Sequence, residues 1–292
     1  MFKNITGKTS NYLSLVKFSH TMFALPFALI GYFYAITSLN ASFDYKLFLL
    51  VLLCMVFARN AAMGFNRFID RAFDEKNPRT KDREIPANKI KPQAALWFVI
   101  INSVLFITAT YFINLLCFFL SPVALVVILG YSYTKRFTFI CHLILGLGLS
   151  LSPIGAYLAV SGKFALVPVL FSLIVFFWVS GFDIIYAMQD IDFDKSLNLK
   201  SIPSVFGEKN SLLFSSILHV FTSSLVLLIG YLITASWFYW GGAVIFIALL
   251  FYQHRLVKPN DLSKVNLAFA TTNGIGSVVF AAFVIADFLL NK

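Results

Sequence analysis

Nine apolar runs leave this 292-residue chain little choice of fold. They lie at approximately 20–39, 46–65, 93–112, 115–132, 138–160, 164–187, 212–233, 236–253 and 267–289. A hydrocarbon core about 30 Å thick is crossed by roughly 20 apolar residues. Inside it the backbone must satisfy its own hydrogen bonds, which a helix does alone. The runs therefore predict an all-α membrane protein of nine transmembrane helices, with residues 1–292 as one domain. Composition excludes a soluble enzyme with a large core. The chain is 59% hydrophobic and only 12% charged, with a mean hydropathy of +0.83, whereas soluble domains are about a quarter charged.

A net charge of +10 would suit a nucleic-acid partner if the charge formed a patch, but it sits in short loops, so no nucleic acid is expected. The N-terminus (Lys3, Lys8, Lys17), the 66–92 loop, Lys135 and Arg136 fall on one side of the predicted membrane. Lys195, Lys200, Lys209, Arg255, Lys258 and Lys264 join them, making nineteen basic residues. The opposite side has Lys46, Lys163 and Lys292, and Arg59 lies within a helix. The positive-inside bias places the N-terminus and long loops in the cytoplasm, the C-terminus outside, and the protein in the cytoplasmic (inner) membrane. The first run has no small-x-small cleavage site behind it and is expected to stay as a helix. Cys54, Cys117 and Cys141 show no CxxC spacing, so neither a disulfide framework nor a zinc site is expected.

The acidic residues carry the chemistry. Of thirteen, five lie in 70–84 and four in 183–194, both on the predicted cytoplasmic side. Asn66, Asp70 and Asp74 are spaced i, i+4, i+8 and share a face if the second helix runs past the membrane surface. Asp183, Asp190 and Asp194, spaced i, i+7, i+11, also share a face, with Asp192 on the far side. Carboxylates four residues apart repel by a few tenths of a kcal/mol even when exposed. A charge at membrane depth costs about 2.5 kcal/mol or more. Two such faces call for a cation, and oxygen-only ligands suit Mg²⁺. Glu75, Asp82 and Glu84, beside Arg79, Lys81 and Arg83, read instead as ion-pairing or capping residues. Arg67 and Arg71 flank the first cluster, and Tyr131, Lys135 and Arg136 close the fourth helix. Carboxylates for Mg²⁺ beside cations for oxyanions describe a diphosphate site, and the membrane implies a lipid tail on that diphosphate.

The segments NRFIDRAFD and DIIYAMQDIDFD resemble the NxxxDxxxD and DxxYAxxDxxxD motifs of the UbiA superfamily of intramembrane aromatic prenyltransferases. NPRTKDREIPA, YSYTKR and the nine-helix count are similar too, so the resemblance covers nearly the whole chain. The opening VKFSHTMFALPFALIG resembles the bacterial 4-hydroxybenzoate polyprenyltransferase branch, which is also associated with naphthoate prenylation. The resemblance implies an Mg²⁺-dependent transfer from polyprenyl diphosphate to a small aromatic acid, for ubiquinone or menaquinone synthesis, at a chamber facing the cytoplasm. It implies that Asn66, Asp70, Asp190 and Asp194 hold Mg²⁺ and the diphosphate, with Asp74 supporting. Arg67, Lys135 and Tyr131 would bind diphosphate oxygens, and Lys17, Arg79 and Arg83 the acid's carboxylate. Tyr186 and Phe65 are candidates to face the allylic cation, since aromatic faces stabilise cations by roughly 0.5–2 kcal/mol.

The tail would need an apolar channel, and the small residues of LILGLGLSLSPIGAYLA are expected at close helix contacts. His20 and His142 are candidates to face the chamber; His219 and His254 read as structural. A cation-coupled transporter, which uses intramembrane acids near the midplane, is the alternative.

Overall fold

A computed structural model describes residues 11–12, 14–16, 23–259 and 261–291. Expectations for Lys17 and His20 fall outside them. Helices α1 (Leu25–Ser38), α2 (Tyr45–Lys76), α3 (Pro92–Ile113), α4 (Leu115–Thr134) and α5 (Cys141–Ser161) come first. Next are α6 (Leu166–Ala187), a 3₁₀ turn (Met188–Asp190) and the short α7 (Ile191–Ser196). Then follow α8 (Ile202–Leu232), α9 (Trp237–Leu256), a π-helical turn (Leu267–Thr272) and α10 (Asn273–Leu290). No strand is present among the described residues; Lys258 and Asp261 form one isolated β-bridge.

Among the described residues, seven helices are long and apolar enough to cross a membrane. The fold is an all-α membrane fold. α1, described over 14 residues, and α9 lie outside those seven, although both fall on predicted runs. The seventh run was expected to begin at 212, but α8 begins at Ile202. Ser201 caps it, accepting from Ser204 N at 3.2 Å, and Pro203 sits in the first turn. Gly207, with φ 76° and ψ 174°, kinks α8, and the polar residues Glu208–Asn210 follow the kink ahead of the apolar run. Asn114, expected to separate the third and fourth runs, does so: its backbone is extended and its side chain accepts from Cys117 N at 2.8 Å. The three cysteines are free.

The chain divides into two compact units. Residues 49–133, with residues 11–16, form one. There α2 runs unbroken for 32 residues, carrying its C-terminal end well past the apolar window. The loop beyond it is anchored by Leu15, Ile85, Ile90 and Ala95, packed with Tyr12, Phe68 and Phe98.

Residues 23–48 and 134–291 form the other unit. Its core is aromatic: Phe27, Trp178, Phe182, Phe246, Phe269 and Phe280 are buried together. Small residues set its closest helix approaches, as expected for membrane helices. A Cβ on Gly31 would lie 2.0 Å from Pro153 O, and one on Gly146 2.2 Å from Ser180 Oγ. Gly181 makes room for the His219 ring, which contacts Trp178 O at 3.2 Å and His254 Nε2 at 2.8 Å. That packing gives His219 and His254 the structural role expected of them.

Candidate functional site

In the first unit, the unbroken α2 puts Asn66, Asp70 and Asp74 on one face, as their spacing requires. Asn66 Nδ2 donates to Asp70 Oδ2 at 2.8 Å. The amide thus steadies the carboxylate and leaves its own carbonyl oxygen as a donor for a cation. Both side chains are half-buried. Asp74 is buried and one oxygen takes an ion pair from Arg83 at 2.6 Å. Its other oxygen is buried with no hydrogen-bond partner.

The loop after α2 is built by its own polar groups. Asn77 accepts from Arg79 N at 2.9 Å, and Thr80 donates to Asp74 O at 3.1 Å. Glu84 is buried and accepts from Ser14, which is a structural role, as expected. Arg67 is buried with its Nε unpaired, so an uncommitted N–H sits next to the acids. Arg71 and Arg79 are exposed. Tyr131 is half-buried near the end of α4, and Phe65 meets the Tyr133 ring edge-on at 5.8 Å.

In the second unit, Asp194 is fully enclosed and already paired on both oxygens. Lys135 Nζ lies 2.7 Å from Oδ1, and Ser201 Oγ donates to Oδ2 at 3.0 Å. Lys135 is pinned a second time, its carbonyl accepting from Lys200 N at 2.7 Å. Asp194 and Lys135 were expected to serve metal and diphosphate separately; in this structure they hold one another. Ser201 was not foreseen at the site, although Ser-Ile-Pro is a helix-start signal.

The shared face expected for Asp183, Asp190 and Asp194 is altered by the 3₁₀ turn Met188–Asp190. Three residues wound at three per turn add about 60° of rotation over α-helical winding. Asp190 is buried, and Asp192 is exposed on the far side as its spacing predicted. Tyr186 packs against Phe269 with centroids 4.1 Å apart and the rings tilted by 30°. Phe269 belongs to the π-helical turn, whose freed carbonyls accept from Asn273 Nδ2 at 3.0 and 3.1 Å. Asp183 accepts from His142 Nδ1 at 2.7 Å, a pairing that nothing local in the sequence signals.

Among the described residues, no group of three or more His, Cys, Asp or Glu is poised to hold a metal ion. The donors present are oxygens of Asp and Asn, the chemistry Mg²⁺ prefers. Asn66 with Asp70 and the orphaned oxygen of Asp74 fit that ion.

Known proteins are similar to this chain in sequence and in fold. The UbiA prenyltransferase family model matches residues 24–283. A 4-hydroxybenzoate octaprenyltransferase of Aeromonas salmonicida is 33% identical, over 81% of this chain and 82% of its own. One from Photobacterium profundum is 30% identical, over 80% of each. In structure, a UbiA homolog from Aeropyrum pernix superposes with a TM-score of 0.79 at 26% identity, over 93% of this chain and 98% of that one. A UbiA homolog from Archaeoglobus fulgidus, bound to DMAPP and Mg²⁺, shares the fold with a TM-score of 0.76 at 21% identity, over 96% and 99%. The chain belongs to the UbiA prenyltransferase family.

Proposed function

We propose that this UbiA-family prenyltransferase moves a polyprenyl group from its diphosphate onto a small aromatic acid, 4-hydroxybenzoate or a dihydroxynaphthoate, in quinone biosynthesis. The observation that carries this is the meeting, in each unit, of motif carboxylates with basic residues: Asp74 with Arg83, and Asp194 with Lys135. Relatives named for that transfer to 4-hydroxybenzoate, matched over four fifths of the chain, support the acceptor class. Family membership displaces the transporter reading.

Asn66 and Asp70, with Asp74 supporting, would hold Mg²⁺ in the first unit, and Asp190, with Asp194 supporting, in the second. When bound, the ion neutralises charge building on the departing diphosphate. Arg67, Lys135 and Tyr131 bind diphosphate oxygens, holding donors where charge develops rather than recruiting them during reaction. Asp194 serves here by fixing Lys135. Arg79 and Arg83, with Lys17, bind the acceptor's carboxylate; Arg83 keeps donors to spare, because a guanidinium has five N–H groups. Tyr186, backed by Phe269, faces the allylic cation.

The site faces the cytoplasm of the inner membrane, the N-terminus is cytoplasmic and the C-terminus outside; the nineteen-to-three basic asymmetry supports this. Nine crossings, including α1 and α9, fit that orientation.

The test is transfer of a labelled prenyl group by membranes containing the protein, with 4-hydroxybenzoate and a dihydroxynaphthoate offered side by side. Product should form with one of them, stop on chelation and return with Mg²⁺. Labelled product from neither acceptor would overturn the reading.

A further inference from the structure

His142 occupies the first turn of α5 with 3% of its surface exposed, and its Nδ1 lies 2.7 Å from Asp183 Oδ2 on α6. Its other nitrogen, Nε2, is buried without a partner. A proton on Nε2 would be an unpaired buried donor, at a cost of about 1–3 kcal/mol. The hydrogen-bond pattern therefore puts a proton on Nδ1, donated to the carboxylate.

The frame behind this pair is rigid. One turn from His142 and two from Asp183, Gly146 brings α5 so near α6 that a Cβ would lie 2.6 Å from Phe176 O. Ile184 and Ile185, beside Asp183, are fully buried. The Asp183 side chain nonetheless keeps 21% of its surface open. An ionisable residue within a membrane helix is costly and marks function by default. Here one oxygen is held by His142 while the side chain stays partly open.

We propose that His142 is a positioning residue: it aims the Asp183 carboxylate so that the free oxygen takes the proton that prenylation displaces from the acceptor ring. This rests on the prenyl-transfer reading. In that reaction the C–O bond to diphosphate breaks, the diphosphate leaves with the electron pair, and a C–C bond forms to the ring. The ring C–H bond then breaks, its electron pair restores the aromatic sextet, and the proton passes to Asp183 and on to water. In the proposed function Asp190 holds the metal at the diphosphate end, and Asp194 is enclosed by Lys135 and Ser201. Asp183 is thus the motif carboxylate open to this task.

The test compares wild type, D183N, H142A and H142N, using acceptor deuterated at the ring carbon that becomes prenylated. Asn carries an N–H at nearly the place of Nδ1, so H142N separates the bond from the ring's bulk. D183N should lower kcat by about 10²-fold or more, the usual worth of a positioned base. H142A should lower it roughly tenfold, as loss of an orienting partner does, and H142N should recover most of that loss. The primary deuterium isotope effect should grow in D183N and H142A and fall back in H142N. An isotope effect unchanged across the series, or H142A turning over like wild type, would overturn the proposal. Failure of wild type to transfer at all would instead sink the function it rests on.

Discussion

The two aspartate motifs repeat a four-residue interval in unlike surroundings. In the first unit the interval sits on one unbroken helix whose apolar window is only 17% buried, and a polar loop closes over its end. In the second unit the carrying helix is 61% buried over its window and gives way to a 3₁₀ turn that ends at Asp190. The first motif keeps an Asn–Asp pair half open, while the second ends in a carboxylate with no exposed surface. Equal spacing therefore does not mean equal duty. A cation-binding face can be left available on a helix that stands clear, whereas an acid enclosed among packed helices must be neutralised by a neighbour.

The sharpest way to break this contrast is to delete one acid from each motif. Asp70→Ala and Asp190→Ala should each abolish detectable transfer, a loss of at least about 10³-fold given the several kcal/mol of charge stabilisation at stake. Membrane insertion should be retained; normal turnover in either variant would refute the shared duty. Removing the partners should separate the motifs by stability. Lys135→Ala strands a fully enclosed carboxylate and should cost about 3 kcal/mol, seen as a lower melting temperature in detergent. Arg83→Ala should cost about 1 kcal/mol, because its guanidinium is partly solvated. Equal losses would erase the distinction. Ser201→Ala removes a cap and one of Asp194's two partners, and should cost about 1–2 kcal/mol. The smallest contrast uses the tight packing of the second unit. Gly31→Ala drives a methyl into Pro153 O and should cost about 1–3 kcal/mol. Gly155→Ala, with open space at that point, should be close to neutral.

Much of the architecture is legible in hydropathy, because crossing a bilayer imposes a run length on any sequence. The Asn66–Asp70–Asp74 face is legible for a similar reason: a long helix propagates its period without help. What escapes is whatever departs from that period. The 3₁₀ turn at Met188–Asp190 contains neither glycine nor proline to announce it. The part of α8 ahead of 212 is interrupted by the kink at Gly207 and the polar Glu208–Asn210 and so falls outside an apolar count, although Ser201 and Pro203 mark a helix start. His142 finds Asp183 across 41 residues of sequence, and Lys135 finds Asp194 across 59. Such pairings are made by helix packing, which no local pattern encodes.

The wide turn at Leu267–Thr272 has one more consequence. Each of its rings encloses one residue more than an ordinary helical ring does. Shortening the chain by a single residue there would let α10 extend backwards in regular register and swing everything before it by about 100°. Phe269 would then leave the Tyr186 ring without its backing, though no side chain of the site had been replaced. A one-codon deletion that replaces no motif aspartate would thus silence the enzyme through a change of phase alone.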